Sequence, residues 1–213
     1  MLTCDVDLLI LEPALFKLWR IDHQQRCRGG NGTLDGTSFS ASGVDFVASG
    51  VQVGDVLYLA SIDSVIDGCY EIIEVVSTTQ LTVSMVRGDE TDLPIAVGSG
   101  NNLIWRISTF APQRVRAERS LSDRLELTPE AIAMLSAESR RQFRAAVTAA
   151  ALVLIFEALI QQDDDDDVFE RKKDVYQQAT EAAVCRLRLE LDTTGDGRTD
   201  TARRGDELHL KRR

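Results

Sequence analysis

The sequence predicts an α+β fold with an N-terminal helix, an inserted small antiparallel β-barrel or sandwich, a C-terminal helical hairpin and an extended C-terminal arm. Apolar and polar residues alternate between residues 37 and 110, as in half-buried strands, whereas apolar residues recur at helical spacing after Thr128. Charge changes as well, because residues 37–110 carry two basic and nine acidic side chains and residues 111–213 carry 18 and 20. The predicted divisions are an N-terminal helix and loop at 1–36, a β-domain at 37–110, a helical domain at 111–191, and a turn with an arm at 192–213.

The N-terminal segment predicts one helix between residues 5 and 26. Pro13 suits the first turn of that helix. The residues that follow it at helical spacing are Leu15, Leu18, Trp19 and Asp22. The next run, Arg28-Gly29-Gly30-Asn31-Gly32, consists of turn formers and predicts a loop. This loop lacks the Gly-Lys-Ser/Thr that opens the helix of a P-loop, so we do not expect it to bind phosphate.

The β-domain contains short β-branched and apolar segments separated by turn signals. Residues 77–80 predict a hairpin connection, and the glycine-rich run 98–102 predicts a loop before the last strand. Short strands with frequent turns are typical of a small antiparallel barrel or sandwich. The expected strands lie at 56–59, 70–76, 81–85 and 103–107.

The helical domain begins with a clear start signal. Thr128 is a hydroxyl N-cap, Pro129 suits the first helical position, and Glu130 places an acid in the first turn. Ser136 is the predicted cap of a longer helix that reaches Gln162. The buried positions expected on this longer helix are Phe143, Val147, Leu154 and Ala158.

A further helix is predicted over residues 168–191, antiparallel to the longer one. The five aspartates at 163–167 predict a solvated turn between the two helices, in preference to a metal site. Alanines at 145–146 and 149–151 allow the helices to approach closely. The predicted apolar face consists of Phe169, Tyr176, Ala183 and Leu187, and the predicted solvent-facing residues are Arg171, Lys172 and Lys173.

Residues 192–200 match an EF-hand loop at its first, fifth, sixth and ninth positions. Thr194 occupies the third position, and Arg203 occupies the twelfth, where calcium needs a bidentate glutamate. We therefore favour a structural turn, with glycines at 195 and 197, over tight calcium binding. The weak candidate metal ligands are Asp192, Asp196 and Asp200.

Composition gives little support for catalysis, a bound cofactor or a membrane span. The two histidines, His23 and His209, lie outside any recognisable catalytic motif. The cysteines are widely spaced without a CxxC pair, so a zinc site is not expected. We expect the thiols to be reduced. The apolar stretch 145–156 is shorter than the ~20 residues that span a bilayer, and Asp5 and Asp7 argue against a signal peptide. The sequence therefore predicts a protein that is not an enzyme and holds no cofactor.

The end of the chain combines basic residues with alternating leucines. It reads either as a frayed terminus or as an arm that binds a partner by adding to a neighbouring subunit's sheet edge. The candidate partner-binding residues are Arg203, Arg204, Leu208, Leu210, Lys211, Arg212 and Arg213.

The order of these segments resembles the head-to-tail connector proteins, also called adaptor or neck proteins, of tailed bacteriophages. Most of the resemblance lies in the C-terminal part of the chain. There the helix over 176–191 runs into Asp192-Thr193-Thr194-Gly195-Asp196-Gly197, and a basic tail follows. The β-domain is similar to virion modules of that kind in Gly54-Asp55-Val56-Leu57 and in Thr79-Gln80-Leu81-Thr82-Val83. The large β-domain is a departure from all-helical adaptors.

The resemblance implies a structural virion protein of the phage neck, assembled in the host cytoplasm. It implies a closed homo-oligomeric ring, a dodecamer, between the portal protein and the tail or tail-terminator protein. DNA would pass through the lumen without sequence-specific binding, and a net charge of −10 agrees with weak attraction to DNA. The alternatives are a calcium-tuned binding module that uses residues 192–200, and a minor tail or baseplate component.

Overall fold

The protein, described here from a computed structural model, is a mixed helix and sheet fold that is 40% helical and 29% strand. The structure describes residues 2–17, 24–160, 168–191 and 201–204. Contacts within the chain define two compact units. One unit is Cys4–Phe110, and the other joins Met1–Thr3 to Ala111–Arg213.

The described part of the first unit contains a short helix, a 3₁₀ helix and six strands. The helix α1 is Asp5–Leu11, and a 3₁₀ helix follows at Leu15–Lys17. The strands are β1 (Gln25–Gly36), β2 (Ser38–Ala41), β3 (Val56–Ala60), β4 (Asp67–Val75), β5 (Gln80–Ser84) and β6 (Gly98–Ser108).

The six strands form a closed antiparallel barrel in the order β1-β2-β5-β4-β3-β6, with β6 returning to pair with β1. This confirms the α+β prediction at a coarse level and selects the barrel over the sandwich. The predicted connection at 77–80 is the β4–β5 turn, in which the Val76 N–H donates to the Gln80 carbonyl at 3.0 Å.

The core of the barrel is built around three aromatic rings. Trp105 lies 5.8 Å from the Phe39 ring and 5.6 Å from the Phe46 ring, both in edge-to-face geometry. All three side chains are buried. Aliphatic residues from every strand complete this core.

The two glycine-rich runs predicted as loops are strands, so both of those predictions are wrong. Residues 28–32 lie in β1 and residues 98–102 lie in β6, which are neighbours in the barrel. Two glycines of β1 are needed for space, because a Cβ on Gly29 would lie 2.8 Å from the Trp105 ring and one on Gly32 would lie 2.7 Å from Phe39. The barrel therefore includes residues N-terminal to 37.

The predicted N-terminal helix is much shorter than expected. It begins beyond Cys4, whose backbone N–H donates to the Asp7 carboxylate at 2.8 Å, and it ends at Leu11. Pro13 ends the helix instead of starting it, because a proline disfavours helical geometry in the residue before it, and Glu12 has ψ of 77°. Leu15 lies in the 3₁₀ helix, whereas Leu18, Trp19 and Asp22 lie outside the described residues.

Within its described residues, the second unit contains four helices and a two-stranded sheet. Helix α4 packs against both α2 and α5, so its side chains are buried on two faces. The helices are α2 (Ala111–Arg124), α3 (Pro129–Ala133), α4 (Ala137–Leu159) and α5 (Val168–Arg186), and the strands are β7 (Arg188–Leu191) and β8 (Thr201–Arg204).

Both predicted helix caps in this unit are confirmed. The Thr128 hydroxyl accepts from the Ala131 N–H and caps α3, and the Ser136 hydroxyl accepts from the Ser139 N–H at 3.2 Å and caps α4. Of the positions expected to be buried on α4, Phe143 and Val147 are buried, Leu154 is partly buried and Ala158 is exposed.

Helices α4 and α5 meet through aromatic stacking. The buried Phe156 ring is stacked with Phe169 and Tyr176, at centroid distances of 6.1 and 5.8 Å. The Lys172 ammonium lies over the same Phe156 ring at 5.2 Å, so the prediction that Lys172 faces solvent freely is wrong. The aspartate run 163–167 lies outside the described residues.

Helix α5 ends earlier than predicted, at Arg186, and residues 188–191 form β7 instead of continuing the helix. Leu187 and Leu189 are both buried, which suits a chain that turns back onto the helices.

Helix α4, with 23 residues, is long and apolar enough to cross a membrane by length and composition. It is longer than the stretch 145–156 on which the expectation of no membrane span depended. About half of its apolar stretch is buried inside the described part of the protein, and core helices of soluble proteins meet the same criterion. The helix is weak evidence for a membrane span.

Candidate functional site

The predicted partner-binding arm begins in a strand of the second unit. Arg203 and Arg204 belong to β8, where their backbones lie opposite Leu189 and Arg188 in the antiparallel register. The other predicted functional residues lie outside the described part of the chain. They are the arm residues Leu208, Leu210, Lys211, Arg212 and Arg213, the candidate metal ligands Asp192, Asp196 and Asp200, and the histidines His23 and His209.

Strand β7 is fixed to the first turn of α4 by a buried serine. The Ser139 hydroxyl, in a residue only 1% exposed, donates to the Arg188 carbonyl at 2.8 Å and accepts from the Glu190 N–H at 2.9 Å. The Ser136 N–H donates to the Glu190 carbonyl at 2.9 Å, and the Arg188 N–H donates to the Gln142 side chain at 3.1 Å. Sequence reasoning assigned Ser136 as a cap but did not identify Ser139 as the anchor of β7.

These contacts determine which backbone groups face β8. Arg188 and Glu190 direct their backbone groups toward α4, so the alternation of an antiparallel pair leaves Leu189 and Leu191 to bond β8. Ala202 lies opposite Glu190 and directs its N–H and carbonyl away from β7. The barrel is closed, so none of its strands has a free edge. Among the described residues, the free strand edge is therefore the side of β8 that faces away from β7.

One end of the barrel presents a surface that sequence reasoning missed. The register places the β3–β4 connection, 61–66, and the β5–β6 connection, 85–97, at the same end as the β1–β2 turn. The Val97 N–H donates to the Gly36 carbonyl at 3.0 Å, which ties the longer connection to that turn. We call residues 61–66 and 85–97 the loop end of the barrel.

Three large apolar side chains of the loop end are almost fully exposed. Ile62 is 89% exposed, Val65 is 81% exposed and Leu93 is 85% exposed, while Met85 and Ile95 are about half exposed. Single exposed apolar residues are common, but several at one end of a domain indicate a surface that contacts another molecule.

An ion pair holds the longer connection in place. The Arg87 Nε lies 2.6 Å from Glu71 Oε1, and the backbone N–H of Arg87 donates to the same carboxylate. The Arg87 guanidinium also donates to the carbonyls of Glu90 and Asp92, both at 2.8 Å. This buried pair therefore fixes the loop that carries Leu93.

The loop end is acidic. Asp63, Asp89, Glu90 and Asp92 are exposed, and Arg87 is the basic residue among them. Hydrogen bonds from the Ser61 and Thr91 hydroxyls lower the pKa values of Asp63 and Asp89, so both carboxylates stay ionised at neutral pH. The surface thus combines exposed apolar side chains with negative charge.

The opposite end of the barrel contains a buried ion pair. Asp55, which is 3% exposed, lies 2.8 Å from Arg26 Nε and accepts from the Gln52 N–H at 2.8 Å. Burial raises the pKa of Asp55 to about 6, although the Gln52 hydrogen bond and Arg26 both lower it. The nearby Asp5 N–H donates to the Gly54 carbonyl at 3.0 Å, and its carboxylate accepts from the Phe110 N–H. These contacts close the end of the barrel and attach α1 to it.

The described residues give no arrangement typical of nucleophilic or metal chemistry. Burial raises the pKa of the Cys27 thiol to about 11 and that of Cys69 to about 12, which suppresses the reactive thiolate. Within those residues no group of three or more histidine, cysteine or carboxylate side chains is placed to hold a metal ion.

Comparison with known proteins provides no further information, since no family model, curated protein or solved structure matches the chain.

Proposed function

We propose that the chain is a structural virion protein of a tailed bacteriophage, a head-to-tail connector whose copies form a closed ring. In this proposal the ring, a dodecamer, lies in the virion neck between the portal protein and the tail or tail-terminator protein. DNA passes through its lumen, and the protein performs no catalysis.

The observation that carries the proposal is the anchored base of the basic arm. Strand β7 is bonded to α4 by the buried Ser139, and β8 pairs with β7 up to Arg204. The chain that follows is basic, with three positive side chains at 211–213. A rigid base with a short charged extension suits a contact with a neighbouring subunit or with the portal.

The charge distribution also supports the proposal. The acidic β-domain gives the chain no general affinity for a phosphate backbone, because such affinity comes from lysine and arginine. A negative surface along a channel would allow DNA to move without being held.

A minor tail or baseplate component is the second candidate. The exposed apolar residues of the loop end favour it, since a barrel with such a surface suits contact with a fibre or another tail protein.

A calcium-tuned module that uses residues 192–200 is a third candidate. Calorimetric titration with calcium distinguishes it from a purely structural role.

Negative-stain imaging of the purified chain mixed with its portal protein tests the connector. We expect a ring of protein on one end of the portal particle, with an open central channel. A bare portal beside an unassembled chain would contradict the connector and favour the tail or baseplate alternative.

A further inference from the structure

The exposed apolar residues of the loop end need a partner of defined chemistry. Ile62 and Val65 lie on either side of the exposed Asp63 in one connection, and Leu93 follows the exposed Asp89, Glu90 and Asp92 in the other. A segment that matches this surface would carry apolar side chains together with positive charge. Burying apolar side chains favours association, and the surrounding charges steer and orient the contact.

The last six residues of the chain have this composition. Residues 208–213 contain two leucines, one histidine and three basic side chains, with no acidic residue. The segment follows Arg204, the end of the anchored β8, after Gly205-Asp206-Glu207. Extended chain covers at most ~3.3–3.6 Å per residue, so nine residues beyond Arg204 can reach roughly 30 Å.

We propose that the loop end of the barrel binds residues 208–213 of a second copy of this chain. Leu208 and Leu210 pack against Ile62, Val65 and Leu93, and the three basic side chains lie near the acidic residues of the 61–66 and 85–97 connections. Donor and acceptor are different surfaces, so every copy can give its arm to the next copy. Such head-to-tail contacts generate closed rings when the rotation closes.

This inference rests on the proposed connector, because it takes the bound segment from a second copy of the same chain. It also specifies where the arm binds. The closed barrel has no free strand edge, so an arm bound at the loop end uses side-chain packing and charge, in contrast to strand addition at the outer edge of β8.

Sedimentation of the full-length chain tests the inference. We expect concentration-dependent self-association that the double substitution Ile62→Ser with Leu93→Ser weakens about tenfold or more, because two exposed apolar contacts are lost. Val53→Ser is the matched control, since Val53 is 65% exposed on the connection at the opposite end of the barrel, and it should associate like the unmodified chain. Circular dichroism confirms that each variant is folded.

Two further measurements examine the chemistry of the contact. A synthetic peptide of residues 203–213 should compete with self-association, whereas the same peptide with Leu208→Ser and Leu210→Ser should not. Glu90→Lys should weaken association and reduce its dependence on salt, because exposed charges are screened within ~8 Å at physiological ionic strength.

Three results would overturn the inference. In the first, the double variant associates as tightly as the unmodified chain. In the second, the double variant still forms rings on portal with unchanged affinity, so the connector is supported and the proposed binding surface is wrong. The full chain could instead stay monomeric because its own arm occupies its own barrel. A different result would separate the two proposals. If the unmodified chain self-associates without forming a ring, and the double variant does not self-associate, the inference is supported and the connector is contradicted.

Discussion

Gly29 and Gly32 occupy β1 because they are small. The Trp105 ring lies against Gly29, and the Phe39 and Trp105 rings lie against Gly32, so a side chain at either position would enter the aromatic core. Glycine also favours turns, and a single sequence does not show which property is used. This is why the run 28–32 was predicted as a loop although it is a strand.

The first prediction compares two adjacent glycines of β1. Gly29→Ala should lower the free energy of unfolding by about 1–3 kcal/mol, because its Cβ would lie 2.8 Å from Trp105 and the core must shift. Gly30→Ala is the control, since no atom lies within 4 Å of a Cβ built there. Urea unfolding followed by tryptophan fluorescence measures both variants, and equal stability of the two would contradict the packing described for Trp105.

The second prediction concerns Asp55 and pH. Burial raises its pKa from 3.8 to about 6 in the folded protein, so between those pH values the folded state binds more protons at this carboxyl than the unfolded state. The free energy of unfolding should therefore fall as pH rises from about 4 to about 6, by up to about 3 kcal/mol relative to an otherwise identical protein without this titration.

Asp55→Asn supplies that comparison, because the amide does not titrate and keeps a similar shape beside Arg26. Urea unfolding at several pH values should show the unmodified protein losing stability relative to the variant as pH rises through this window. A difference between the two proteins that does not change with pH would show that Asp55 titrates alike in both states.

At the scale of secondary structure, local signals predicted the helix starts and the central strands. Thr128 and Ser136 cap helices as expected, and strands β3, β4 and β5 lie where apolar alternation placed them. Helix α2 was missed because Arg114 lies on its buried face, where it donates to the Thr3 carbonyl and interrupts the apolar pattern.

Strand β7 was missed for a different reason. Its hydrogen-bond partners, Ser136, Ser139 and Gln142, precede it by about fifty residues, as the separation of 51 between Ser139 and Glu190 shows. Periodicity within one segment carries no information about such distant partners, so residues 188–191 appeared to continue α5.

The third prediction tests this anchor. Ser139→Ala removes the hydrogen-bond partner of the Arg188 carbonyl and of the Glu190 N–H, which should lower the free energy of unfolding by about 1–3 kcal/mol. Ser120→Ala, at an exposed position of α2, is the control and should change stability little. Amide hydrogen exchange should accelerate at Glu190 in the Ser139 variant, and unchanged exchange there would count against the serine as the anchor.

At the scale of the whole molecule, the loop end depends on the strand order of the barrel. Residues 61–66 and 85–97 are separate in sequence, and the antiparallel pairing of β4 with β5 and of β3 with β4 and β6 places both connections at one end. The sequence predicted a small antiparallel barrel or sandwich and proposed a basic arm, but it did not predict the surface on which the arm is proposed to dock.

The fourth prediction separates the arm from the strand that precedes it. Deleting residues 205–213 should leave circular dichroism unchanged, because β8 still pairs with β7. It should abolish binding to portal, because the proposed ring that binds portal is held together by the arm. Deleting residues 201–213 also removes the partner of β7 and should reduce stability. Wild-type binding to portal after the shorter deletion would exclude the arm from docking.

The mass of the assembly, measured with and without portal protein, tests the proposed connector most directly. The account predicts a discrete particle whose mass corresponds to a closed ring of copies of this 23.5 kDa chain, formed at high concentration or on addition of portal. A chain that remains monomeric under both conditions would contradict it.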